Sequence, residues 1–85
     1  MIGTLSRIMS ANSNLRTNEV LGKFSEVPRV DARFEMIAES LTGVGVRCVS
    51  TSPVVSVTPV LAKDIVIGYQ FNTQNTIYYL ELMAD

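Results

Sequence analysis

The chain has 85 residues and a mass of 9.3 kDa, enough for one domain spanning residues 1–85. It is 47% hydrophobic, too apolar for a disordered tail, and its net charge of −1 speaks against a protein that coats nucleic acid. With no histidine and one cysteine, Cys48, it lacks the parts for Ser-His-Asp or Cys-His catalysis, His-ligated zinc and CxxC sites, so binding is expected rather than an enzyme, with no cofactor or metal.

Ile2 to Ala11 supports two readings. Leu5, Arg7 and Met9 alternate as in a strand, while Ile2, Leu5 and Met9 also fit a short helix. Asn12-Ser13-Asn14 is turn chemistry. Glu19 to Val27 reads as a strand with Val20, Gly22 and Phe24 on one face; Pro28 ends or edges it. Asp31 to Gly43 is again double. Phe34, Ile37, Ala38 and Leu41 have helical spacing, with Asp31 at an N-cap and Gly43 just past the end. Phe34, Met36 and Ala38 alternate equally well with Arg33, Glu35 and Ile37.

Val44 to Val57 reads as one strand or two short ones, with Pro53 at an edge, a bulge or a strand start. Thr58-Pro59 punctuates it. Ile65, Ile67, Tyr69 and Phe71 form one face of a strand, and Asn72 to Asn75 is a polar hairpin turn. Thr76 to Met83 returns with Tyr78, Leu80 and Leu82 on one face and Ile77, Tyr79 and Glu81 on the other. The pattern predicts a mainly β fold: a small barrel or strongly bent antiparallel sheet of about five strands, with at most one short helix at the N-terminus or over Asp31–Gly43.

Three segments carry a resemblance: Arg33-Phe34-Glu35-Met36, Arg47 to Val55 with its Thr51-Ser52-Pro53-Val54-Val55 core, and Phe71 to Leu80 with Phe-x-Thr-x-Asn-Thr-x-Tyr-x-Leu. In this order they resemble strands of small, uncharacterised bacteriophage proteins. The resemblance implies a small β-barrel-like fold, a strand at Asp31–Gly43 and a phage origin, and leaves the ligand undetermined. Thr76 stands where serine is commoner and keeps the hydroxyl.

The candidate ligand-binding residues are Arg33, Arg47, Thr51, Ser52, Thr73, Gln74, Asn75, Tyr78 and Tyr79. Arginine forks match phosphate or carboxylate geometry. Hydroxyls and amides suit a sugar or a base edge, and a tyrosine outside the core can stack on a base or anchor an interface. The plainer alternatives are ion pairs on a wet face, Arg33 beside Glu35 on the same strand face and Arg47 facing Glu39 or Glu35 across strands, and turn-capping by the Ser, Thr and Asn side chains. Cys48 is expected to be a small buried hydrophobe. Glu35 and Glu39 read as a solvated face, and Gly43-Val44-Gly45 as a turn rather than a phosphate loop.

With no disulfide, no leader-like segment and no apolar run of about 20 residues, the sequence reads as a soluble cytoplasmic protein without a membrane role. So small a domain gains stability by assembly, so a homo-oligomer is expected. The leading functional expectation is a counter-defence sponge that sequesters a nucleotide-type small molecule. A protein-interaction module or small phage structural component, bound to a host protein, comes second. A single-stranded nucleic-acid binder comes third, opposed by the charge.

Overall fold

Alternation of apolar side chains builds the whole molecule. The computed structural model describes residues 1–10, 19–39 and 46–83; the expected turns at Asn12–Asn14 and Gly43–Gly45 lie outside the described residues, as do the side chains of residues 9, 10, 39, 46 and 47. The strands are β1 (Ile2–Ser10), β2 (Glu19–Lys23), β3 (Arg33–Glu39), β4 (Val46–Pro53), β5 (Ser56–Ala62), β6 (Ile65–Asn72) and β7 (Thr76–Met83). They form one antiparallel sheet in the order β4-β3-β2-β1-β7-β6-β5. The fold is mainly β and strongly bent, as expected, with seven strands in place of about five. Among the described residues there is no helix.

Within Asp31–Gly43 the competition is settled for the strand over Arg33–Glu39, and residues 40–43 lie outside the described residues. Phe34, Met36 and Ala38 are buried while Arg33, Glu35 and Ile37 are exposed, the period-two pattern of a sheet with one covered face. Asp31 is no N-cap. It adopts a left-handed turn conformation, with φ of 69°, that aspartate tolerates better than most residues, and its N–H donates to the Val54 carbonyl at 2.8 Å. The N-terminal segment is a strand too, pairing with β2 on one side and β7 on the other.

The β2 ladder stops at Lys23, short of the Val27 that the sequence pattern allowed. Phe24 still turns inward, its N–H bonded to the Met1 carbonyl at 2.9 Å. Gly3, Gly22 and Ala38 form a row of small residues across β1, β2 and β3. A Cβ on Gly3 would lie 2.9 Å from the Phe24 ring, and one on Gly22 would run into the Ile37 carbonyl oxygen. This row lets three strands approach and the sheet curl over Phe24.

Both edges carry proline. Pro53 ends β4, at the edge where it was expected. Pro59 does not punctuate a strand; it lies within β5, opposite Tyr69. An edge tolerates proline because one side of the strand has no ladder to feed. The β5–β6 hairpin turns through Lys63 and Asp64, both with positive φ, 52° and 68°, as a two-residue type I′ turn requires.

The two edge strands run in the same direction, since six antiparallel steps separate them. Only Val54 and Val55 join the end of β4 to the start of β5. Three Cα steps reach about 10–11 Å, so the edges must meet there. Val54 is fully buried; its N–H donates to the Ala32 carbonyl (2.9 Å), and the Val55 N–H donates to the Asn72 carbonyl (2.7 Å). The sheet is strongly curled but not closed, since β4 and β5 do not pair. Its core is Leu5, Val20, Phe24, Phe34, Met36, Ala38, Val54, Phe71 and Leu80, threaded by ring contacts from Phe24 through Phe34 and Phe71 to Tyr78.

Candidate binding site

The turn of Val54–Val55 gathers the start of β3, the end of β4 and the β6–β7 turn. This places the two polar segments singled out by sequence in one region, but it spends several of their side chains on the fold. The β3–β4 register slips between Arg33–Pro53 and Glu35–Ser50, so two residues of β4 stand opposite Phe34. The slip would orphan the Phe34 N–H. Thr51 Oγ1 accepts it at 3.0 Å and donates to the Ser52 carbonyl at 2.8 Å. Thr51 is thus a buried bulge clip, and no buried side-chain polar atom among the described residues is left unpaired.

Thr73 is likewise buried. Its N–H donates to the Thr76 carbonyl at 2.9 Å, and its hydroxyl reaches the same oxygen at 3.4 Å. Ser52, Gln74 and Asn75 remain exposed. Tyr78 is packed against the core, its ring 5.0 Å from that of Phe71 and nearly parallel to it. Tyr79 faces the other side and lies against Gly68, where an added Cβ would be 2.8 Å from its hydroxyl. Thr51, Thr73, Tyr78 and Tyr79 line neither of two pockets formed by the described residues.

Arg33 does border one. An open cleft of about 420 Å³ lies between the chain after β2 and the start of β3, lined by Ser25, Glu26, Arg29, Arg33, Phe34 and Glu35 among others. Arg33 donates from Nη1 to the Thr51 carbonyl at 3.2 Å, which orients the guanidinium and leaves most of its fork available. It makes this bond in place of the expected pair with Glu35. Arg29 meets Glu26 at 3.5 Å in a pair exposed on both sides, worth about 0–1 kcal/mol and easily exchanged for another anion. A second, wider hollow of about 590 Å³ shares Ser25 and Glu35 with the cleft and adds Lys23, Met36 and Ile37. Sequence reasoning does not single out Ser25, Glu26 or Arg29, because no spacing rule connects a loop to a neighbouring strand start.

Arg47 stands opposite Ala38 in β4, and its side chain lies outside the described residues. Cys48 is not buried. It pairs with Ile37, and both are exposed, because Met36 and Val49 take the core side of the same two strands. Among the described residues, no three His, Cys, Asp or Glu side chains are grouped to hold a metal ion. Among the described residues no helix is long and apolar enough to cross a membrane. No family model, curated protein or solved structure matches the chain.

Proposed function

We propose that this is a non-catalytic binding protein that holds a small nucleotide-type anion in the Ser25–Glu35 cleft. The observation that carries the reading is the placement of Arg29 and Arg33 on one cleft of small-ligand size, beside Glu26 and Glu35. Guanidinium forks take phosphate oxygens, and carboxylates accept hydroxyls of a sugar. The cleft thus offers complementary groups for the two polar parts of a nucleotide. The bacteriophage resemblance gives the reading its concrete form, sequestration of a host nucleotide signal.

Calorimetric titration with a panel of linear nucleotides, cyclic dinucleotides, cyclic oligonucleotides and ADP-ribose isomers tests it. One of these is expected to bind, and Arg29→Ala, which removes an exposed side chain, to weaken it about tenfold or more. A panel without heat or thermal shift would refute the reading.

A further inference from the structure

We propose that the end of the β5–β6 hairpin is a self-association arm, which packs against the same arm of a second copy about a two-fold axis. Leu61, Val66 and Ile67 are all exposed, Leu61 at 57%, and Ile65, on the opposite side of the hairpin tip, is exposed at 67%. The pairs Val57–Phe71 and Pro59–Tyr69 mark the core side of the hairpin, with Phe71 buried and Val57 and Tyr69 packed on the core. Leu61–Val66 is the next pair on that side. The apolar face that buries Phe71 therefore runs on past the last residue that covers it.

Charge selects a second copy. The arm tip carries Lys63 beside Asp64, so two tips facing across a two-fold axis set cation against anion. A bilayer is a poor alternative, because the same two charges would enter it first. Pro59 removes an N–H from β5, so the copies meet through side-chain faces rather than by extending the sheet. This arm is separate from the cleft and does not depend on what the cleft binds.

Sedimentation equilibrium from about 1 to 100 µM, the range in which modest interfaces are resolved, tests the proposal. A dimer is expected. Leu61→Lys should leave a monomer with an unchanged circular dichroism spectrum, since Leu61 is exposed in the single chain. K63E puts two carboxylates on each tip and should weaken the dimer about tenfold; K63E/D64K should restore it. A monomer throughout, a dimer indifferent to Leu61→Lys, or a double variant as weak as the single one would each overturn the proposal.

Discussion

Phe34 in β3 and Phe71 in β6 meet with ring centroids 5.3 Å apart, although β2, β1 and β7 lie between their strands in the sheet. A flat sheet would hold them far apart, since strands are spaced by about 4.8 Å. Their contact is the measure of how far the sheet has curled, and it joins the two halves of the core. Phe71→Ala is expected to cost about 3–5 kcal/mol, with the loss of a fully buried ring. Urea unfolding of both single alanine variants and the double variant should give a coupling of about 0.5–1.5 kcal/mol. Additive losses would show that the rings do not act as a pair.

Thr51→Val keeps the shape of the side chain and removes the acceptor for the Phe34 N–H. A buried donor without a partner costs about 1–3 kcal/mol, so this variant should be that much less stable. Thr51→Ser should recover most of the loss. Equal stability of the two variants in chemical denaturation would deny the hydroxyl its role in the bulge.

The tight turn at Lys63–Asp64 places a lysine, a residue ill suited to positive φ, at its first position. Replacing them by Asn-Gly, the preferred pair of a type I′ turn, should stabilise the single chain by about 0.5–1 kcal/mol. Unfolding is to be followed at a protein concentration low enough to keep the chain monomeric. A lower denaturation midpoint would contradict the turn type.

Cys48 lies on the outer side of β4. A maleimide should therefore label the native protein to the same extent as the urea-unfolded one. Labelling seen only after unfolding would place the thiol inside instead.

Alternation in the sequence revealed most of the inner surface. Phe34, Met36 and Ala38 were legible as one face, as were Tyr78, Leu80 and Leu82, because a side chain's face in an unbroken strand depends only on parity. The failures lie where parity breaks. The β5–β6 register slips between Val60 and Leu61, so Ile65 pairs with Ala62 on the side opposite Phe71 rather than sharing its face. The hairpin itself was missed because Lys-Asp is not a turn pair that sequence advertises, and Pro59 disguised β5. For the site, residue chemistry picked out Arg33 and Thr51. It had no means of telling that Thr51 serves the backbone while Arg33 borders the cleft, since that depends on a bulge joining residues 17 apart in the chain.

The pairing of β1 with β7 sets the order of events during folding. β1 occupies the middle of the sheet, and its partner on one side comes from the far end of the described chain, Ile2 standing opposite Met83. A growing polypeptide that has completed β1 to β6 can form two separate blocks, β1–β4 and β5–β6, tied only through Val54–Val55. The gap between them is filled by β7, so the native assembly has to wait for that strand and forms late, as chains dominated by distant contacts do.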